Sequence, residues 1–496
     1  MPGKPRSNPR SITCPQSLDL PENDPVTMID AVDAAPSAHA PPPARIQPRS
    51  TGTRREDRWI HDWRPEDLGF WEGGGARVAR RNLICSIFCE HVGFSIWSLW
   101  SVFVLFLGPQ YGLSASQKFL LTTASGAVGA AMRIPYAFAV AKVGGRNWTI
   151  VSALILLLPC GYTAAILHPG VSFNTLLFAA AIGGIGGGNF ASSMANIESF
   201  YPARLKGWAL GLNAGGGNLG VAVVQLVSIA LTAALGQDHP RYLLGLYMPL
   251  LVLSALCAYL YMDNLSTAAN DKRAMRDVAR DAHCWIISVL YIGTFGSFIG
   301  FGFAFGQVLQ VQFKTTFDTP LKAASLTFLG PLLGSLVRPI GGKLADRHGG
   351  SRVTIATFMA MAAGATLVLV ASRRNSLSLF VAAFVALFVL SGLGNGSTYK
   401  LIPAIFDAKA NRLIHAGADE GSARREARRL SRALIGVVGA TGAFGGVAVN
   451  LALRQSFLVL GHGEGAYVGF IAYYALCVAL AWAVYRRPSV HRLRGV

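Results

Sequence analysis

Two arginines lie inside apolar segments of the sequence, where a charge is costly. Arg133 begins the stretch RIPYAFAVAKVGGR, and Arg338 begins RPIGGKLADRHGGSR. A charge at the centre of a membrane helix costs about 2.5–3.5 kcal/mol on insertion scales, so such residues usually face an aqueous cavity or a charged partner. Guanidinium groups present parallel N–H donors and stay charged, which suits a planar oxyanion. The pair therefore predicts one anion held between Arg133 and Arg338.

Carboxylates could instead neutralise the two arginines through arginine–carboxylate bridges. Glu90 and Glu198 are the only acidic residues clearly inside predicted membrane helices, so few such partners exist. His91 and Lys400 also place titratable or charged groups within apolar segments and are functional candidates for the same reason. Two interpretations stay open: a buried bridge between Glu90 and Lys400, or a proton site formed by Glu90 and His91 that couples anion entry to H⁺.

The elements that must position these residues are membrane helices. Of the 496 residues, 52% are hydrophobic and 14% are charged, whereas a soluble domain has about 25% charged residues. Long apolar segments recur from residue 82 to residue 485 and predict an all-α membrane protein. Twelve transmembrane helices are predicted, at residues 82–107, 118–141, 147–168, 172–200, 205–235, 241–262, 283–311, 321–346, 351–372, 376–406, 430–458 and 464–485.

The basic residues indicate the orientation of these helices. A net charge of +19 would be compatible with a nucleic-acid partner, but the charge lies mostly in loops and tails, so none is expected. One set of alternate loops carries most of the lysines and arginines. The positive-inside rule therefore predicts a multi-pass protein of the cytoplasmic (inner) membrane with both termini in the cytoplasm.

Composition divides the chain into six predicted segments. They are a disordered cytoplasmic tail at 1–58, an amphipathic membrane-surface segment at 59–81, a six-helix bundle at 82–262, a cytoplasmic linker at 263–282, a second six-helix bundle at 283–485 and a cytoplasmic tail at 486–496. The first tail is rich in Pro, Ser, Arg and Ala, which is typical of disorder. The stretch 407–429 is interpreted as a solvated charged face, with a cytoplasmic helix as the alternative. The seven cysteines form no C-x-x-C pair, so packing thiols rather than a metal site are predicted.

An internal repeat relates the two predicted bundles. The stretches that begin at Arg133 and Arg338 each continue with a nearby proline and a Gly-Gly pair, which starts at 144 and at 349. The fourth and tenth helices share GGIGGGNF and SGLGNGST, and the fifth and eleventh share GVAVVQL and GVAVNLAL. These matches predict two pseudo-symmetric halves related by a parallel repeat, with a substrate site near the bilayer midplane where the halves meet.

Glycines are concentrated in the fourth and fifth predicted helices. Small residues allow helix backbones to approach closely in lipid, so two facing glycine seams are expected to permit tight packing and sliding. The glycines assigned to this packing are Gly186, Gly188, Gly215, Gly217 and Gly220. A phosphate-binding loop is excluded because no Lys-Ser/Thr pair follows the glycines and no strand precedes them.

Longer motifs resemble those of a transporter superfamily. GGKLADRHGG at 341–350 resembles a loop motif of the major facilitators, in which Asp346 and Arg347 would form a charged cytoplasmic latch. GNFASSMANIESFYP, followed by GLNAGGGNLGVAVVQ, resembles the nitrate signature of the NarK-type nitrate/nitrite porters within that superfamily. GLGNGSTYKLIPAIF and GATGAFGGVAV resemble its second-half counterpart. The resemblance covers about residues 60–487 and implies the twelve-helix major facilitator fold.

The resemblance also implies a set of substrate-binding residues. In that family the anion is held by arginines of the second and eighth helices, which match Arg133 and Arg338. The other matching positions are Phe190, Asn218, Tyr291 and Phe295. Because Tyr291 and Phe295 are four residues apart, their rings share one helical face. Aromatic rings are expected to narrow the slot, exclude larger or tetrahedral anions and meet the anion with their edges.

These observations predict a secondary active transporter of nitrate and nitrite that works by alternating access and is not an enzyme. An anion would reduce the repulsion between the two arginines and so allow the halves to close, which favours nitrate/nitrite exchange. Nitrate/proton symport through Glu90 and His91 is the alternative. An anion channel and a non-transporting nitrate sensor are more remote alternatives. The expected partners are nitrate and nitrite, H⁺ in the symport case, and the lipid bilayer. A monomer without cofactors is expected.

Overall fold

The computed structural model describes residues 58–236, 240–266 and 271–487. The tails predicted at 1–58 and 486–496 therefore lie almost entirely outside the described residues. Within the described part, the chain forms twelve long helices: α1 Leu68–Phe106, α2 Ala115–Val143, α3 Gly145–Ile166, α4 Phe173–Phe200, α5 Ala203–Leu235, α6 Arg241–Tyr261, α7 Ala282–Gln312, α8 Pro320–His348, α9 Gly350–Arg373, α10 Leu377–His415, α11 Glu420–Leu460 and α12 Glu464–Tyr485.

The helices confirm the predicted all-α membrane fold. Eleven of them are long and apolar enough to cross a membrane. The remaining helix, α2, has 29 residues and carries Arg133 in its second half; about 20 residues suffice to span a bilayer. Two short strands accompany the helices in the described residues: β1 Trp59–Ile60 pairs in parallel with β2 Asn264–Leu265.

The internal repeat is visible in the backbone of α2 and α8. In α2, Pro135 follows Arg133 by two residues, and in α8, Pro339 follows Arg338 directly. Both helices end at a glycine with positive φ, 91° at Gly144 and 88° at Gly349. Residues with a Cβ rarely adopt this conformation, so glycine allows each helix to stop at the same distance from its arginine.

Helices α1–α6 and α7–α12 form two bundles that meet mainly along three helix pairs. The second helix of one bundle packs against the fifth of the other, which gives the pairs α2 with α11 and α8 with α5, and α1 packs against α7. A short helix in the linker, Lys272–Ala279, also packs against α11. The arginine-bearing helices α2 and α8 therefore lie at the interface between the bundles, as the repeat predicts.

Aromatic packing fixes α7 against α10. Phe301 and Phe305 of α7 contact Phe384 and Phe388 of α10, with ring centroids between 4.9 and 6.1 Å apart. Most of these pairs meet edge to face, an arrangement that adds about 0.5–1.5 kcal/mol per pair beyond area burial. The cluster holds the half of α7 that follows Tyr291 and Phe295, so both rings project from a rigid support.

Two tryptophans of the segment predicted to lie on the membrane surface are packed against protein. Helix α1 begins at Leu68, well before the predicted residue 82. Trp63 is buried and donates its indole N–H to the carbonyl oxygen of Phe200 at 3.2 Å. Trp71 is also buried and contacts Tyr201 edge to face. These tryptophans cover the end of α4, because the apolar ring and the polar indole nitrogen both find partners there.

Helices α10 and α11 extend well beyond the membrane thickness, with 39 and 41 residues. The charged stretch 407–429 belongs to these extensions and is helical except at residues 416–419. The helical alternative therefore describes most of its length, and most residues from 411 to 429 are exposed, as a solvated charged face would be. A charged face of this kind is compatible with helix formation because Arg424 and Glu420 pair at i,i+4 spacing.

Candidate anion-binding site

Arg133 lies between the two bundles with most of its N–H groups unused. Its side chain is 1% exposed. Nη1 donates to the carbonyl oxygen of Gly439 in α11 at 2.7 Å, whereas Nε and Nη2 have no partner in the described residues. Burying such donors unpaired is expensive unless a ligand or water satisfies them. The geometry therefore leaves one edge of the guanidinium available to an anion.

Aromatic rings surround the guanidinium of Arg133. Its Cζ atom lies 4.5 Å from the ring centroid of Phe190, 4.9 Å from Phe295, 5.4 Å from Trp97 and 5.9 Å from Phe94. The negative ring faces stabilise the charge in place of water. Two of these rings, Phe190 and Phe295, were predicted from the sequence, and the structure brings both to Arg133.

Arg338 occupies the matching position in the second bundle. It is 6% exposed, and its Nη2 donates to the hydroxyl of Tyr291 at 3.2 Å. Nη1 has no partner in the described residues. The Cζ atom lies 5.7 Å from the ring centroid of Tyr399. Like Arg133, Arg338 forms no ion pair within the described part of the chain, so the alternative of two arginine–carboxylate bridges is wrong there.

Tyr291 and Phe295 connect the two arginines. A π-helical turn, Ile292–Gly296, follows Tyr291 in α7. The two rings stack with centroids 5.3 Å apart and an interplanar angle of 4°. Phe295 also lies 6.2 Å from Phe190 across the bundle interface. The four-residue spacing therefore places both rings on one face, with the Tyr291 hydroxyl at Arg338 and the Phe295 ring at Arg133.

Gly186 of α4 and Gly220 of α5 both pack against α1 rather than against each other. An idealised Cβ on Gly186 would lie 2.4 Å from the carbonyl oxygen of Gly93, and one on Gly220 would lie 2.2 Å from that of His91. The prediction of two mutually facing seams is wrong, because Gly186 and Gly220 both approach the backbone of α1, and Gly184 and Gly187 approach the backbone of α2. Gly188 faces the ring of Tyr136 in α2.

The other two predicted packing glycines differ from each other. A Cβ on Gly217 would lie 2.1 Å from Oε1 of Glu90, whereas a Cβ on Gly215 would meet nothing within 4 Å. Gly215 is therefore not a packing glycine, and its assignment to a tight seam is wrong. Asn218, next to Gly217, is 1% exposed, and neither of its amide atoms has a partner in the described residues. The described contacts therefore do not join Asn218 to either arginine.

Glu90 is a buried carboxyl without a charged partner among the described residues. Its Oε2 accepts from Nδ2 of Asn213 at 2.7 Å, and Oε1 has no hydrogen-bond partner there. The same Asn213 amide contacts the hydroxyl of Ser193 at 2.7 Å. His91 points elsewhere, with Nδ1 lying 3.1 Å from the carbonyl oxygen of Gly216. Glu90 and His91 therefore do not form a hydrogen-bonded pair.

Lys400 is paired with Asp346 rather than with Glu90. Its Nζ atom lies 3.0 Å from an oxygen of Asp346, near the end of α8. The predicted Glu90–Lys400 bridge is therefore wrong. Lys400 instead links α10 to α8 within one bundle. The loop motif implied that Asp346 forms a charged latch with Arg347, and in the structure Asp346 forms an ion pair with Lys400.

A cavity of about 390 Å³ leads away from the arginines on one side of the protein. Phe190, Tyr399 and Gly439 line its inner end, because these residues contact Arg133 or Arg338. Its wall also carries Glu198 and Arg432, which form an ion pair of 2.7 Å between α4 and α11. The candidate site is thus reached from one side, through a mouth whose wall includes this ion pair between the bundles.

A second ion pair joins the linker helix to this mouth. Asp271, at the start of the helix Lys272–Ala279, binds Arg429 of α11. The hydrogen bond from Arg429 and the one from the backbone N–H of Ala274 hold the pKa of Asp271 at about 2, below its ordinary value. The pair is complete while Asp271 is ionised and is lost as the pH falls through that value. It therefore contributes no pH dependence near neutrality.

The opposite side of the interface is closed by direct contacts. The hydroxyl of Thr122 in α2 donates to Oδ1 of Asn450 in α11 at 3.2 Å. Nε2 of Gln225 in α5 donates to the carbonyl oxygen of Gly302 in α7 at 3.1 Å. Phe119 stacks on a ring of α11 next to them. One side closed and one side open is the geometry of an alternating-access transporter in one of its states.

Sequence reasoning missed four residues of the pocket: Phe94, Trp97, Tyr399 and Gly439. The first two lie in a continuously apolar helix, where nothing in the pattern separates pocket rings from packing rings. Tyr399 lies in the motif GLGNGSTYKLIPAIF, whose tyrosine next to a charged lysine could have drawn attention. Gly439 contributes its carbonyl oxygen, which no residue type reveals.

Comparisons with known proteins agree with this geometry. Residues 83–418 match the family model of the Major Facilitator Superfamily. The nitrate/nitrite transporter NarU of Salmonella typhimurium is 37% identical over 450 residues, which cover 86% of this chain and 96% of NarU. The probable nitrate/nitrite antiporter NarK2 of Thermus thermophilus is 34% identical over 462 residues, covering 88% and 98% of the two chains.

A solved structure of the xylose transporter XylE from Escherichia coli has the same fold. It aligns with a TM-score of 0.59 and 14% sequence identity, covering 84% of this chain and 99% of XylE. The identity is too low to carry more than the fold. The family model and the related sequences, which match over most of the chain, establish the family. This chain belongs to the major facilitator superfamily and, within it, to the NarK-type nitrate/nitrite porter family.

Proposed function

We propose that this protein is a secondary transporter that carries nitrate and nitrite across the cytoplasmic membrane. The proposal rests mainly on the pair of buried guanidinium groups, one from each bundle. Both have free N–H groups and no carboxylate partner in the described residues. The names of the related NarU and NarK2 proteins support nitrate and nitrite as the anions. The proposed process moves an ion and breaks no covalent bond.

The pocket suits a small planar anion. The donors that remain free are Nε and Nη2 of Arg133 and Nη1 of Arg338. The rings of Tyr291, Phe295 and Phe190 contact one another next to these arginines. Planar oxyanions can accept parallel N–H bonds from a guanidinium, and the positive edges of the surrounding rings can face the anion. Tetrahedral anions such as phosphate or sulfate would need more room in the direction normal to the rings.

Charge balance favours exchange as the mode of transport. Without an anion, closing the bundles would bring two like charges together in a medium of low dielectric constant, which is unfavourable. A bound anion reduces this repulsion, so the loaded protein closes more readily than the empty one. Entry of one nitrate and exit of one nitrite would then alternate, with the protein crossing between its two states only when loaded.

The orientation of the cavity supports an inward-facing state with both termini in the cytoplasm. Its mouth includes Asp271 and Arg429, and Asp271 belongs to the linker between the bundles. The positive-inside rule assigns that linker to the cytoplasm. The loop that contains Asp346 and Arg347 belongs to the same predicted side. The described contacts of a single chain complete the pocket, which supports a monomer as the working unit in the bilayer.

Counterflow in proteoliposomes tests the proposed function. Vesicles that contain the purified protein and internal nitrite are expected to accumulate labelled external nitrate faster than vesicles loaded with sulfate, because exchange requires a transportable anion inside. The measurement is the initial rate of nitrate uptake. Uptake that needs no internal anion and carries a sustained electrical current would favour a channel instead, and binding without any uptake would favour a nitrate sensor.

Nitrate/proton symport is a second candidate because of one observation. Glu90 is buried, its Oε1 has no hydrogen-bond partner, and among the described residues no cation pairs with it. Such a carboxyl can gain and lose a proton as its surroundings change between the two states. His91 and Lys400 carry less weight, since His91 contacts a backbone carbonyl and Lys400 is paired with Asp346.

Replacing Glu90 by glutamine separates the two candidates. The amide oxygen of the new side chain can still accept a hydrogen bond from Asn213, so the exchange proposal expects nitrate uptake within about twofold of the wild type. It also expects neither protein to respond to an imposed pH gradient. Symport instead predicts that a proton gradient stimulates the wild type and that Glu90→Gln abolishes this stimulation. Glu464→Gln, at an exposed ion pair with Arg373, is the matched control.

A further inference from the structure

Tyr399 has a buried hydroxyl group that no described residue satisfies. The residue lies on α10, and its ring contacts the ring of Tyr291 at 5.3 Å between centroids. Its Oη atom is buried and has no hydrogen-bond partner in the described part of the structure. An unpaired buried hydroxyl costs stability, so its presence at this position requires another explanation.

The position of this hydroxyl is fixed by its neighbours. An idealised Cβ on Gly439 would lie 3.9 Å from Oη of Tyr399 and 3.5 Å from the ring of Phe190. The carbonyl oxygen of the same Gly439 accepts from Arg133. On its other side, the Tyr399 ring lies 5.7 Å from Cζ of Arg338. Tyr399 therefore lies between the two arginines.

Tyr399 also lines the cavity through which an anion would arrive. Tyr399, Phe190 and Gly439 form the inner end of the cavity that opens at Glu198 and Arg432. An ion at the inner end of this cavity is therefore next to Tyr399, which contacts Arg338, and next to Gly439, which accepts from Arg133. A neutral phenol can donate one hydrogen bond to an oxyanion without adding a third positive charge to the pocket.

We propose that Tyr399 is a substrate-binding residue whose hydroxyl donates a hydrogen bond to the nitrate or nitrite held by Arg133 and Arg338. This assignment rests on the proposed function of the pocket. The Tyr399 hydroxyl of α10 would be a further hydrogen-bond donor beside the N–H groups of Arg133 in α2 and Arg338 in α8. Because Tyr399 lies on the cavity side, its bond to the anion is the last to break when the anion leaves through the cavity.

The test is the affinity of the purified protein for nitrate, measured by isothermal titration calorimetry. Tyr399→Phe removes one oxygen atom and keeps the ring contacts with Tyr291 and Arg338. Hydrogen bonds to charged groups are strong, so we expect the Kd for nitrate to rise about tenfold. Tyr473→Phe is the matched control, because the Tyr473 hydroxyl donates to the carbonyl oxygen of Val289 at 2.9 Å, away from the pocket. Its Kd should equal that of the wild type.

The outcomes separate this proposal from the function on which it rests. A Kd for Tyr399→Phe within about threefold of the wild type overturns the assignment, since a lost hydrogen bond to a charge costs more than that; the hydroxyl then meets only water in the cavity. A wild-type protein that binds no nitrate overturns the proposed function itself. The nitrate-dependent rise in melting temperature is the second readout, and it should be smaller for Tyr399→Phe than for Tyr473→Phe.

Discussion

Replacing Arg338 by lysine is expected to reduce the initial rate of nitrate/nitrite exchange by roughly a hundredfold, because losing one partner of a buried charged contact costs about 2–5 kcal/mol. Lysine keeps the positive charge, so the repulsion between the bundles is little changed. It loses the planar fork that holds both Tyr291 and the anion. Arg133→Lys should have the same effect, since that side chain also contributes free N–H groups.

The matched control for both substitutions is Arg373→Lys. Arg373 is at the end of α9, its side chain is 63% exposed, and it pairs with Glu464. Exposed ion pairs contribute little, so exchange should continue at the wild-type rate. If Arg338→Lys retained more than about a third of the wild-type exchange rate, a difference smaller than one lost hydrogen bond, a guanidinium fork at this position would not be required.

Replacing Gly220 by alanine is expected to destabilise the protein strongly. The new Cβ would lie 2.2 Å from the carbonyl oxygen of His91 and 3.2 Å from the backbone nitrogen of Ser95. Backbone atoms cannot rotate away as a side chain can, so α5 and α1 must separate. Overpacking typically costs about 1–3 kcal/mol and occasionally more. The measurement is the melting temperature of the purified protein in detergent.

Gly215→Ala provides the comparison on the same helix. A Cβ at Gly215 meets nothing within 4 Å, and alanine is favoured over glycine in a helix by about 1 kcal/mol. The melting temperature of Gly215→Ala should therefore equal or exceed that of the wild type. If Gly220→Ala melted at the same temperature as Gly215→Ala, the close backbone approach of α5 to α1 would be contradicted.

The helices were predictable because their apolar length depends on local composition. The two arginines were predictable for a related reason, since a charge in an apolar segment is costly wherever the segment lies. The boundaries at the helix ends were harder. Trp63 and Trp71 match a membrane-surface segment by composition, and only the position of α4 shows that they pack against Phe200 and Tyr201. That position depends on contacts between distant parts of the chain.

Among the site residues that the resemblance implied, Phe190 and Phe295 contact Arg133 and Tyr291 contacts Arg338, whereas no described contact joins Asn218 to either arginine. Glu90 and Lys400 both look buried in the sequence, but Lys400 reaches Asp346 near the end of α8, far from the carboxyl that Asn213 holds. Depth along a helix is not encoded in residue type. Phe94 and Trp97 were missed for a related reason, because residue type does not show whether a ring of an apolar helix faces lipid, protein or ligand.

The bond from Arg133 to Gly439 has a consequence for the energetics of the carrier. Arg133, proposed to bind the anion, also joins one bundle to the main chain of the other, through an N–H group different from those that remain unpaired in the described residues. Anion binding and the contact between the bundles would thus both depend on the side chain of Arg133, so no other residue would be needed to couple them. Changes in α11 that shift this carbonyl should alter anion affinity even when they never touch the anion.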